Sequence, residues 1–134
     1  MRSACIIFFL FVTCSVVTGQ NLIGYKGSDI RKYMKENRKD MNFEKVTNSK
    51  FQYLKYSDNS GSQTLLFFLK PDSVCNSIRM ICDEPTKAEK IKEFNSKYKS
   101  GGINKWIDTR AGKDYTIRVE EEPWSSIITI ETAK

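Results

Sequence analysis

The chain has 134 residues, with 22 Lys and Arg against 16 Asp and Glu, a net charge of +6 and no histidine. Without imidazole there is no His-based acid–base catalysis, no Ser-His-Asp or Cys-His nucleophile pair, and no use of the commonest metal ligand. The basic residues fall into short patches such as RKYMKENRK (residues 31–39), which suit solvated helix faces rather than a nucleic-acid stripe; contact with anionic lipid or polysaccharide is the minority alternative.

Residues 1–19 read as a cleaved signal peptide. Arg2 supplies the positive start, residues 4–12 (ACIIFFLFV) the apolar run, and Val17 and Gly19 the small-residue cut site ahead of Gln20. The run is shorter than the ~20 residues that span a bilayer, so no transmembrane segment is expected. A buried N-terminal element and a lipoprotein anchored through Cys14 are the alternatives. Gln20 after a small residue resembles the mature start of many exported proteins of Gram-negative bacteria. Cleavage removes one Arg and no acid, leaving residues 20–134 as one domain with a charge of +5.

The spacing of Ile30, Tyr33, Met34 and Met41 predicts a first helix, capped by Ser28 with Asp29 in its first turn. Three strands follow, at residues 51–56 (FQYLKY), 64–69 (TLLFFL) and 76–82 (NSIRMIC), separated by SDNSGSQ and KPDS. The second helix has Thr86 and Glu89 as a capping box, Ala88, Ile91, Phe94 and Tyr98 as its apolar stripe, and Gly101–Gly102 as its stop. Strands at 104–108, 115–120 and 125–131 complete the chain. In the middle one Tyr115, Ile117 and Val119 face in, and Thr116, Arg118 and Glu120 face out.

The predicted fold class is α+β: two layers, with two helices on one face of an antiparallel sheet. Lys55, Tyr56 and Asp58 align with Lys105, Trp106 and Asp108, and, with small shifts, Gly61 and Pro71 with Gly112 and Pro123. A tandem helix–three-strand duplication, with half-units at 27–83 and 84–132, would produce this pattern; so would two unrelated hairpins. Between residues 27 and 131 the element order and turn positions resemble the duplicated helix-plus-sheet units of β-lactamase inhibitory proteins. They also resemble the half-unit of small outer-membrane-assembly lipoproteins. That resemblance implies a fold and no chemistry. The inhibitors carry disulfides within each half, which this chain cannot form, so their inhibitory residues are not transferred.

TLLFFL is apolar at every position but the first. Leu65, Phe67 and Leu69 point one way, and Leu66 and Phe68 the other. Either the strand is covered on both sides, or Leu66 and Phe68 centre an exposed patch for a partner protein or a second copy, with Tyr56 beside them. Trp106 and Trp124 flank turns and suit core edges, with a sugar platform as the alternative, and Trp106 joins the candidate binding residues. Asp108 with Asp114, or Glu120 to Glu122, are the carboxylates available to a hydrolase.

Two cysteines, Cys75 and Cys82, outlast the cut. Seven extended steps separate their Cα atoms by ~23 Å and turn the side chains to opposite faces, whereas a disulfide needs Cα atoms within ~7 Å. A bond between them is therefore disfavoured, though an oxidising compartment pulls the other way. Cys82 is expected as a buried thiol, and Cys75 at the strand start as the one open to an intermolecular bridge. Two thiols without histidine are half a metal site, so neither metal nor cofactor is expected. The function expected is a non-catalytic, exported binding domain of the cell envelope, periplasmic or extracellular, acting as an inhibitor or accessory protein. The alternatives are a carboxylate-only hydrolase and a structural component of an envelope assembly.

Overall fold

A computed structural model describes residues 21–46 and 50–133; the expected signal peptide and Cys14 lie outside the described residues. The chain runs α1 (Gly27–Asn37), β1 (Met41–Glu44), β2 (Gln52–Asp58), β3 (Gln63–Leu69), β4 (Cys75–Cys82), α2 (Glu84–Lys97), β5 (Lys99–Gly102), β6 (Lys105–Arg110), β7 (Lys113–Glu121) and β8 (Ser126–Thr132). The strands form one eight-stranded sheet, ordered β1-β2-β3-β4-β8-β7-β6-β5, with every pairing antiparallel. The α+β class expected from the sequence is present.

Each helix is followed by four strands, one more than the periodicity predicted. Met41 lies seven residues after Met34 and so mimics the helical stripe. The helix nevertheless ends at Asn37, Arg38 binds Asp40 through two hydrogen bonds of 3.0 Å, and Met41 starts β1 opposite Asp58. Gly101 and Gly102 do not stop α2. It closes at Lys97, Tyr98 is already extended, and the glycines belong to β5, paired to β6. A strand reading KSGG has no apolar alternation, so it carried no signal.

The caps also differ from expectation. Ser28 lies inside α1, whose N-cap is Lys26 with no side-chain bond; the Gly27 N–H donates instead to the Ser73 carbonyl at 2.9 Å. A Cβ at Gly27 would come within 3.1 Å of Leu69 Cδ1, so glycine permits this close start. Asp83, not Thr86, caps α2 by accepting the Thr86 N–H at 3.0 Å, with Pro85 in the first turn.

Alternation sets the core. One register row carries Leu54, Phe67, Ile78, Ile130, Ile117 and Trp106, and the next carries Tyr56, Leu65, Met80, Ile128 and Val119. These residues belong to one apolar cluster with Ile30 and Met34 of α1 and Phe94 of α2. The face that carries them is called inner below, and the opposite face outer. Leu22, 1% exposed, joins the cluster from the N-terminal segment. That segment is tied to the sheet by the Cys75 N–H, which donates to the Tyr25 carbonyl at 2.9 Å, and by Arg110, which donates to the Asn21 carbonyl at 3.2 Å.

Cys75 and Cys82 are free and buried at opposite ends of β4. The expectation of an accessible Cys75 fails for a definite reason. Register shifts between Phe68 and Leu69, so that Phe68 faces Ser77 while Leu69 faces Cys75. Asn76 is the extra residue of this bulge. It resets the parity and turns Cys75 toward the core, where it is 1% exposed.

Candidate binding face

On β3, Leu65 and Phe67 are 5% and 3% exposed on the inner face, whereas Leu66 and Phe68 are half-buried on the outer one. No helix residue of the buried cluster is needed to explain the outer side. Neighbours within the sheet contribute to its partial burial. Tyr53 pairs with Phe68 across β2 and β3, with ring centroids 5.7 Å apart. Arg79 stands diagonally on β4 with its guanidinium 5.4 Å from the Phe68 centroid, a cation–π contact. Around this cluster opens a groove of about 710 Å³ lined by Phe51, Gln52, Phe68, Pro71, Asn76 and Arg79, among others. Phe51 is 61% exposed at its edge.

A second register row runs Lys55, Leu66, Arg79, Thr129, Arg118, Lys105 across six strands of the same face. Two of its cations are neutralised locally: Lys55 meets Glu44 at 3.0 Å and Arg118 meets Glu131 at 2.7 Å. Hydrogen bonds from Lys55 and Ser57 hold the Glu44 carboxyl below its ordinary range. Arg79, at the aromatic cluster, has no carboxylate partner among the described residues. The outer face therefore offers an aromatic patch beside a guanidinium with no carboxylate partner among the described residues. This arrangement suits an apolar, anionic surface.

Leu66 and Phe68 sit together as expected; Tyr56 and Trp106 do not join them. Tyr56 is 4% exposed on the inner face, packed edge-on against Phe67 at 6.0 Å. Desolvation raises its phenol pKa. The reason is parity, since Tyr53 and Lys55 take the outer side of β2. Trp106 is 6% exposed, its ring tilted against Phe94 with centroids 5.3 Å apart, and its indole N–H donates to Asn95 Oδ1 at 2.9 Å. Trp124, read as a core edge, is instead 96% exposed in the turn between β7 and β8. Tyr53, Phe51 and Arg79 were missed. Their alternation within each strand was visible, but their convergence depends on cross-strand register.

The proposed hydrolytic pair is not brought together. Asp108 is 7% exposed on the inner face beside Arg110 Nε at 3.1 Å. Asp114, opposite Thr109 and accepting its hydroxyl at 2.6 Å, lies on the outer face. Glu121 is held by Lys87 at 2.7 Å. No group of three His, Cys, Asp or Glu able to hold a metal ion occurs among the described residues, and no described helix is long and apolar enough to cross a membrane.

One further cavity lies where Tyr33 and Met34 of α1 and Phe94 of α2 meet Phe67, Ile78 and Ile128 of the sheet. Its volume of about 50 Å³ suits a few waters rather than a ligand, whose sites run to roughly 300–1,000 Å³. The Tyr33 hydroxyl, buried there, has no hydrogen-bond partner among the described residues. Compared with family models, curated proteins and solved structures, the chain has no match.

Proposed function

We propose that this chain is a small exported domain of the cell envelope that binds a protein partner through the outer face of its sheet and performs no chemistry itself, as an inhibitor or accessory protein. The observation that carries the reading is the Tyr53–Phe68–Arg79 cluster: apolar rings and an unneutralised cation left open on the outer side of a sheet whose inner side is densely packed. Monomers do not normally leave such residues together without a use for them. Export rests on the pattern of residues 1–19, and places the domain in the periplasm or outside the cell.

The architecture proposed with it is two-layered and duplicated. Its support is that Ile30, Met34 and Phe94 share one buried cluster with the inward strand residues. The helix–four-strand order also occurs twice, with β4 and β8 meeting at the centre of the sheet. That repeat is the form in which the likeness to β-lactamase inhibitory proteins is carried forward.

Phe68→Asp tests the function. The chain from Gln20 onward, immobilised, is expected to retain a specific partner from an envelope extract. The variant is expected to lose it while keeping the same circular dichroism and melting temperature. Unchanged capture by the variant overturns the reading. So does gross unfolding, which would make Phe68 a core residue.

A further inference from the structure

We propose that the protein self-assembles head to tail, the turn at Glu122–Trp124 of one copy seating in the Phe51–Phe68–Arg79 groove of the next. The inference rests on the binding-face reading above and names its occupant as a second copy of this chain.

Two unexplained features motivate it. The first is the β7–β8 turn. Trp124 is 96% exposed there, although tryptophan is among the side chains with most to gain from burial. The turn is closed by the Glu122 N–H donating to the Ser125 carbonyl at 2.8 Å, and Pro123 restricts it further, so the indole is held outward on a stiff tip. Of the adjoining acids, Glu120 approaches Arg118 at 3.8 Å and Glu121 binds Lys87 at 2.7 Å. Glu122 has no cation among the described residues. On the neighbouring turn Ile103 is also 96% exposed, next to Asn104, whose carbonyl accepts the Val119 N–H at 3.0 Å. The tip is thus apolar and acidic.

The second feature is the groove, which is its complement. Phe51, Phe68 and Pro71 offer an apolar seat, Arg79 a cation without a carboxylate, and Asn76 and Gln52 polar groups for an indole N–H. Its volume of about 710 Å³ accommodates one aromatic side chain with room to spare. The groove's lining holds no carboxylate, and the turn presents one beside an unpacked ring.

One copy cannot satisfy itself. The groove lies at Asn76 and Ser77, near the start of β4, while the turn lies beyond the other end, where Cys82 pairs with Ser126. Five extended steps, ~17 Å, separate Ser77 from Cys82. The contact is therefore heterologous. Each joined pair leaves one free groove and one free tip, and assembly continues unless it closes into a ring.

Sedimentation analysis up to about 1 mM, the weak end of measurable affinity, tests this with two variants checked for native circular dichroism. Trp124→Ala/Glu122→Gln removes the tip and keeps the groove; Arg79→Glu removes the groove and keeps the tip. Wild type is expected to grow beyond two chains as concentration rises, and each variant alone to remain monomeric. Their equimolar mixture is expected to form a two-chain species that grows no further. Several outcomes overturn the proposal: a wild type that stays monomeric, growth that survives loss of the tip, or a fixed wild-type dimer that marks face-to-face pairing. A monomeric wild type whose Phe68→Asp variant still loses an envelope partner would reject head-to-tail assembly and leave the binding face standing.

Discussion

Parity decides what each residue of β2 and β3 does, and substitutions read it directly. Tyr56 packs inward and Leu66 outward although the two are nearest neighbours in register rows only one step apart. Tyr56→Ala is expected to cost about 3–5 kcal/mol in urea unfolding, and Leu66→Ala about 1 kcal/mol or less. Equal costs would mean that the outer face is covered. Cys75 gives a pH prediction. Burial raises its thiol pKa from 9.0 to about 11, against a smaller lowering contribution from a backbone hydrogen bond at Ser77. The fold favours the neutral thiol, so its stabilisation is complete below pH 9 and is lost as pH rises toward about 11, amounting to roughly 2–3 kcal/mol. Denaturation curves across this window should flatten in Cys75→Ala relative to wild type. Cys75 and Cys82 of the native protein should also react with a thiol reagent only on unfolding.

At the scale of elements, turns carry the strain. The β6–β7 hairpin joins Arg110 to Lys113 through Ala111 and Gly112, both in the left-handed region at φ 49° and 77°. Glycine accepts this conformation freely, whereas alanine pays about 1–2 kcal/mol for it. Asparagine followed by glycine is the preferred pair for such a two-residue turn. Ala111→Asn is therefore expected to raise stability by about 1 kcal/mol, read as a higher melting temperature. A lower one would mean that the turn is not of this type. Much of α2 and β6 to β8 was legible in the sequence because Ile91, Phe94 and Ile117, Val119 follow clean periods of their elements. β1 and β5 were not, since four residues contain too few periods, and each becomes a strand only by pairing with a neighbour already in place.

Over the whole molecule, the decisive contact is β4 with β8. Ser77 to Cys82 pair with Glu131 to Ser126, joining the first four strands to the last four through the centre of one sheet. Ile78, Met80, Ile128 and Ile130 from both sides share one apolar cluster. Neither half can unfold without exposing the other's core, so a single cooperative transition is expected. Fluorescence of Trp106, in the second half, and near-ultraviolet dichroism of Tyr56, in the first, should give coincident denaturation curves. Separate midpoints would show that the halves are independent.

The sequence by itself determined the α+β class, the inward and outward sides of β3 and β7, and the improbability of a bond between Cys75 and Cys82. Each of these follows from local period and chain reach. Only the tertiary structure decided that Tyr56 lies in the core while Trp124, read like Trp106 as a core edge, is exposed. It alone buried Cys75, through the Asn76 bulge, and gathered Tyr53, Phe68 and Arg79 into one patch. The physical reason is that alternation specifies which residues of one strand share a side, whereas register and bulges specify which strands' sides coincide. Those arise from pairing between segments far apart in the chain.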